Sequence, residues 1–399
     1  MSLPPELELV LNLCLLPLTE REQANALRLA RQVNNWDEFV FWVQRHGVLG
    51  SVLGNLKTLP ADLIPPAPRT RLVQAQRQAS LRDMQLIAAL AQVDKLFRSQ
   101  EVDYLALKGP ALSQLLFGAP FVRHSGDLDI LVRTGEVARA EQLLLTEGYT
   151  PTLHKPPLTA MQFRRYMQYR HHFVYLQPGT GMQVELHWAI REPYIRQPAA
   201  DEYFARAQNL ILAGGLRLET LSNEDALLHA ILHGASHRWN SAKHFRDLFA
   251  LLSGQACDWA RIRGIIAACR LEWPAAQGLQ LGREFFQREI PAELGEYLQL
   301  TNRSIRFLKN AARNAFLARE APGSPPAGRR LWYDTRLQAG PAYFFKTLAA
   351  AWLSPYYWLQ VPLPDRFFPL YFAIVPGLAI WQKMVKPFAA KTWPPNAES

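Results

Sequence analysis

A chain of 399 residues with 49% apolar and 20% charged side chains can bury more than one core, which excludes intrinsic disorder. Lys and Arg outnumber Asp and Glu by 44 to 34, and the net charge of +10 favours anionic partners without choosing among nucleotides, nucleic acid and an acidic membrane surface. The three cysteines, Cys14, Cys257 and Cys269, are too few and too scattered for a disulfide framework or a CxxC metal site, and they point to a reducing compartment.

The N-terminal run MSLPPELELVLNLCLLPLTERE has no basic n-region, and Glu6, Glu8, Asn12 and Pro17 interrupt its apolar stretch. It predicts a helix rather than a signal peptide, and hence a cytoplasmic chain. Through ELELVLNLCLL, WDEFVFWVQRHG and the long segment from Thr70 to Ser99, apolar residues recur at spacings of three and four, as in helices. Thr19 and Glu22 match a capping box. The Pro-rich stretch 59–70 (LPADLIPPAPRT) predicts a linker or corner before the long helix. Residues 1–100 are thus expected to form an N-terminal helical region.

The texture changes at Val102. VDYLALKG predicts a short strand ended by Gly109, PALSQLLFGA a helix with Pro110 in its first turn, and DLDILV a second strand. EVARAEQLLLTEGY follows as a helix stopped at Gly148. HHFVYLQ and MQVELHW flank PGTG as the arms of a hairpin. Together these predict an α/β unit over 101–195. Residues 196–320 read as a helical domain, in which SNEDALLHAILHGASHRW has Ser222 as N-cap and Glu224 and Asp225 in the first turn. REAPGSPPAGR reads as a linker into a Pro- and aromatic-rich region over 321–399.

The chemistry concentrates in RHSGDLDILV. On a strand Asp127 and Asp129 project from one face while Leu128, Ile130 and Val132 point to the other. Two close carboxylates repel and desolvate badly unless a cation sits between them. Mg²⁺ takes such oxygen ligands and leaves positions open for phosphate. Phosphoryl transfer by two metal ions needs carboxylates that hold the ions ~3.5–4 Å apart. Glu185 in MQVELHW is the candidate third ligand, with Val184 and Leu186 on the opposite face and His187 on its own. LKGPAL supplies a phosphate cradle: Gly109 lets the backbone approach a ligand, and the following helix start offers free N–H groups. Lys108 and Arg123 add positive charge where a triphosphate would lie.

The order LKG, GDLDILV, VELHW, followed by EDALLHAILHGASHRW and FRDLFALL, resembles the uncharacterised nucleotidyltransferase family of the polymerase-β-like superfamily. The resemblance covers about residues 30–300 and is densest over 105–190. It implies an α+β fold, with a minimal nucleotidyltransferase core of mixed β-sheet flanked by helices. It also implies transfer of a nucleoside monophosphate from an NTP to an unidentified acceptor, with release of pyrophosphate. By this resemblance Asp127, Asp129 and Glu185 are the catalytic residues and the ligands of Mg²⁺, as two ions. Lys108, Gly109, Arg123, Ser125, Gly126, His187, Lys243 and Asp247 are the expected nucleotide-binding residues. The superfamily's Gly–Ser or Gly–Gly pair is here Gly109–Pro110. A catalytically inactive nucleotide-binding protein, or a membrane-associated scaffold, is the alternative reading, and nucleic acid stays open as a partner.

His229, His233 and His237 recur every four residues and line one side of a helix. With no HExxH and no cysteine at hand, they are read as facing the α/β unit, near base or acceptor, rather than as a zinc site. Lys243 and Asp247 have the i, i+4 spacing of a helix-surface pair. His171 and His172, ahead of the hairpin, carry a weaker signal. The run FFPLYFAIVPGLAIW (367–381) contains Pro369 and Pro376 and is shorter than the ~20 residues of a membrane span. Its aromatic and basic flanks suit packing onto the helical domain, or a peripheral membrane or protein contact through 352–388.

Overall fold

The computed structural model describes residues 3–378 apart from 155, 255–256, 320–326, 360, 362 and 376. Pro376 and residues 379–388 of the C-terminal run therefore lie outside the described residues. The N-terminal region forms α1 (Pro5–Leu13), α2 (Glu20–Ala30), α3 (Trp36–Arg45), α4 (Leu49–Leu56) and α5 (Pro66–Ser99). The Thr19 hydroxyl accepts from Glu22 N at 3.2 Å, and the Glu22 carboxylate accepts from Thr19 N at 2.8 Å, closing the expected capping box at α2. α5 begins at Pro66, inside the stretch read as a linker, because a proline in the first turn has no N–H to leave unpaired.

β1 (Tyr104–Ala106), α6 (Gly109–Phe117), β2 (Asp127–Val132), α7 (Val137–Thr146), β3 (Thr150–Pro151), α8 (Ala160–Tyr169), β4 (His172–Gln177) and β5 (Met182–His187) follow. Next come α9 (Ala200–Ala205), β6 (Gln208–Ile211) and β7 (Arg217–Thr220). Then the chain is helical: α10 (Asn223–Ser236), α11 (Ala242–Gly254), α12 (Trp259–Cys269), α13 (Glu272–Phe286), α14 (Gly295–Gln299), α15 (Arg303–Leu317), α16 (Ala327–Asp334), α17 (Pro341–Trp352) and α18 (Pro355–Trp358). The strands form one mixed sheet in the order β3-β4-β5-β2-β1-β7-β6, flanked by helices, so the fold is α+β. β2 lies inside it, antiparallel to β1 and parallel to β5.

β6 and β7 correct the reading of 196–320 as helical throughout. They are short and carry few β-branched residues, so their local pattern is weak. What makes them strands is pairing: they pair with each other, and Thr220 Oγ1 donates to Ala106 O at 2.6 Å where β7 meets β1. Gly214 and Gly215, both at positive φ, make the turn between them.

The two sheet faces serve different cores. Leu128, Ile130 and Val132 of β2 and Val184 and Leu186 of β5 pack with Leu86, Leu90 and Phe97 of α5 and Val137 and Leu144 of α7. Leu353, Trp358, Phe368, Tyr371 and Val375 belong to this same core, so the described residues from Leu353 onward pack on the sheet unit, whereas Tyr333, Leu337 and Tyr343 before them join the helical core. Their outer side leaves Trp352, Phe367, Leu370 and Phe372 exposed. No described helix is long and apolar enough to cross a membrane. On the other face Leu105, Leu107 and Leu131 join a core built with α1, α3, α10, α11 and α13. Asp127 and Asp129 alternate onto this second face, just ahead of Leu131.

Several histidines are buried. His46 stacks between Trp42 and Phe316, with ring centroids 5.5 and 4.6 Å away. Burial, then the charge of Arg45, pushes its pKa down to about 3. Burial likewise holds His229, His233 and His244 well below the usual imidazole range. Between the folded and unfolded pKa values the unfolded chain binds more protons, so this stability is complete above about pH 6.5 and is lost as pH falls below it. The thermal midpoint is expected to be lower at pH 5.5 than at pH 7.5, with His46 alone accounting for about 1 kcal/mol. An equal midpoint at both pH values would contradict this.

Candidate active site

The parallel register of β2 and β5 sets Asp129 opposite Glu185 and Asp127 opposite Gln183. Neighbouring strands are ~4.8 Å apart, so the three carboxylates gather on one face. Asp127 opens β2 and is half-buried, whereas Asp129 is 3% exposed. The loop leading into β2 is fixed from outside. His124 Nδ1 bonds the carboxylate of Asp83, a fully buried residue of α5, and Asp83 Oδ1 also accepts from Ser125 N at 3.4 Å. Arg82 donates to Gly126 O at 3.4 Å and to Gly181 O at 3.1 Å, tying this loop to the β4–β5 turn. Ser125 Oγ donates to Asp127 Oδ1 at 3.0 Å.

Charge around the carboxylates is partly balanced. Lys108 Nζ donates to Asp129 Oδ1 at 2.6 Å, and His187 Nε2 lies 3.1 Å from the same oxygen and 3.2 Å from Glu185 Oε2. Asp129 Oδ2 is buried with no hydrogen-bond partner among the described residues. Burial, then the charges of Asp129 and Glu185, pushes Asp127 up to about 6. Burial works against ionised Asp129 as well, but Lys108 and His187 outweigh it and hold that carboxyl well below the usual range. Gly109 has φ +59°, and a β-carbon there would meet Asp127 O at 3.5 Å, so the first turn of α6 lies against the loop that carries the aspartates. Around Gly126 a β-carbon would meet nothing within 4 Å.

Arg123 is 5% exposed, and its Nε donates to Asp247 Oδ2 at 2.7 Å. The other Asp247 oxygen accepts from Arg246 at 2.9 Å. Asp247 is therefore a buried clamp between α11 and the loop before β2, which corrects the reading of Lys243 and Asp247 as a surface pair. Lys243 is half-buried; burial, then the charge of Arg123, pushes it down to about 8. His229 and His233 of α10 and His244 of α11 line a small cavity with Lys108, Arg123 and Asp247.

His171 and His172 are central, despite their weak signal in the sequence. Their rings lie 5.3 and 4.9 Å from that of His187. The four-residue turn Pro178–Gly181 fixes the register that pairs His172 with His187, so counting back from PGTG would have found this contact. Asp83 gave no such signal, because its partners lie more than forty residues along the chain.

An Asp-x-Asp strand beside a strand bearing glutamate, with a Lys–Gly turn into a helix, is the layout of a nucleotidyltransferase core. Over residues 32–287 the sequence matches the family described as uncharacterised nucleotidyltransferase, and the chain belongs to that family of transferases. Among solved structures it is similar to an antigenic nucleotidyltransferase-like protein from Paracoccidioides brasiliensis, with 19% identity and a TM-score of 0.33 over 54% of this chain and 93% of that one. That likeness is too distant to bear on the site. None of the curated proteins matches the chain.

The Arg123–Asp247 clamp has a measurable consequence. Removing one partner of a buried pair leaves the other charge uncompensated, and Arg123→Met is expected to lower unfolding stability by about 3 kcal/mol. Denaturant unfolding of the variant checks this, and a midpoint equal to that of the parent chain would show that the pair is not structural.

Proposed function

We propose that this chain transfers a nucleoside monophosphate from an NTP to an acceptor hydroxyl, with Asp127, Asp129 and Glu185 holding Mg²⁺. The observation that carries the reading is Asp129: one oxygen is held by Lys108 and His187, while the other is buried without a partner among the described residues. An unpaired carboxylate oxygen is costly to bury, and a divalent cation would satisfy it. Three carboxylates, with Asp127 bonded by the Ser125 hydroxyl alone among the described residues, form an oxygen donor set that fits Mg²⁺. When bound, such ions polarise the triphosphate and acidify the attacking hydroxyl.

The chain's own residues have distinct parts in this reading. Lys108 brings positive charge to the reaction centre, and the first turn of α6, entered through Gly109, offers backbone N–H groups to phosphate. Ser125 and Gly126 form the open rim beside it. His187 positions Asp129 and Glu185 by bonding both. Arg123 acts from behind the site by holding the loop to Asp247, and Lys243 adds charge beside them. The acceptor oxygen forms its bond to the α-phosphorus, the bond to the β-phosphate oxygen breaks, and pyrophosphate leaves while the hydroxyl proton passes to solvent or base.

Calorimetric titration with the four ribonucleoside triphosphates tests the reading. Binding of at least one is expected to require Mg²⁺ and to weaken at least tenfold in Asp127→Asn, whose circular dichroism stays that of the parent chain. If no triphosphate binds in the presence of Mg²⁺, the carboxylates serve another purpose.

A further inference from the structure

The β4–β5 hairpin brings a second donor set beside the carboxylates. His172 pairs with His187 across the ladder, and His171 O accepts from Trp188 N at 3.0 Å. Each of these three histidines offers a ring nitrogen within 4.8 Å of the other two. The direction of the opposite nitrogens separates this group from a chance pile of imidazoles. His187 Nε2 lies 3.1 Å from Asp129 Oδ1 and 3.2 Å from Glu185 Oε2. His172 Nε2 faces Glu185 Oε1 at 4.0 Å, and His171 Nδ1 faces Glu192 Oε1 at 3.6 Å. A carboxylate lies on the far side of each ring, hydrogen-bonded to His187 and beyond hydrogen-bond distance from His171 and His172, on the side where a bonded carboxylate fixes the tautomer of a metal-bound histidine and raises its basicity.

The nitrogens that face no carboxylate are His171 Nε2, His172 Nδ1 and His187 Nδ1. The first two are 3.0 Å apart and hydrogen-bonded to each other, a bond whose proton an ion bound there would displace. His187 is 1% exposed, and its Nδ1 is buried with no partner among the described residues. With its Nε2 proton directed at Asp129 and Glu185, Nδ1 is the His187 nitrogen left to take an ion, which would displace any proton there.

We propose that His171, His172 and His187 bind a transition-metal dication of the zinc class, at a site distinct from the three carboxylates. Imidazole nitrogens suit Zn²⁺, Co²⁺ and Ni²⁺, whereas Mg²⁺ takes oxygen. Tetrahedral Zn²⁺ with bonds of about 2.0–2.1 Å sets its ligand nitrogens roughly 3.3–3.4 Å apart, close to the spacing of the first pair. Three protein ligands leave the fourth position for water or a phosphate oxygen. His187 joins the two sites, since its Nε2–H holds Asp129 and Glu185 while its Nδ1 meets the ion.

Titration of the metal-stripped full chain with Co²⁺, read by visible absorption, tests the proposal. The intense bands of tetrahedral Co²⁺ are expected, displaced by Zn²⁺ and not by excess Mg²⁺. They should persist in Asp127→Asn, where the carboxylate site is impaired, and Co²⁺ should bind at least tenfold more weakly in His172→Ala and in the volume-conserving His172→Gln. Thermal melts of both variants show that they are folded. Absence of tetrahedral bands, bands unchanged in His172→Gln, or bands lost in Asp127→Asn would each overturn it, the last by assigning the ion to the carboxylates.

Discussion

The parallel pairing of β2 with β5 sets Asp129 beside Glu185, and much of the surrounding structure answers the charge this concentrates. Two ionised groups side by side in a partly buried site repel strongly unless positive charge or donors reach them. Lys108 supplies the charge from the end of β1, and His187 supplies a donor that both carboxylates share. Asp127, at the open start of the strand, receives only the Ser125 hydroxyl among the described residues, and the cost shows in its raised pKa. The opposite face of the same strands carries Leu128, Ile130, Val184 and Leu186, whose burial keeps the register from slipping.

The loop between α6 and β2 must hold its shape for this arrangement to persist, and its restraints come from two helices. Asp83 and Arg82 reach it from α5, and Asp247 reaches it from α11. The helices before and after the sheet unit are thus more than a shell: each anchors the segment that presents Asp127. Such support by groups buried on rigid elements preorganises a site at the expense of burying several charges.

The carboxylates were legible because a period of two separates strand faces without any knowledge of neighbours. Gly109–Pro110 announced a helix start, and PGTG a hairpin, for equally local reasons. The missing parts depend on distant partners. β6 and β7 are strands because β1 offers them an edge, and Arg123 turns inward because Asp247 waits 124 residues later. Asp83 looks like any polar residue of a long helix until His124 is placed beside it. His171 and His172 lie between these cases, since the hairpin register that unites them with His187 can be counted from the turn, yet their significance rests on Glu185 and Glu192 behind the rings.

The most direct measurement is a crystal structure of the chain with Mn²⁺ in place of Mg²⁺ and a non-hydrolysable NTP analogue, using the anomalous signal to locate the ions. The carboxylate reading predicts Mn²⁺ ligated by Asp127, Asp129 and Glu185, with phosphate oxygens against the first turn of α6. Mn²⁺ and triphosphate bound elsewhere, with these three carboxylates ligating no ion, would contradict it.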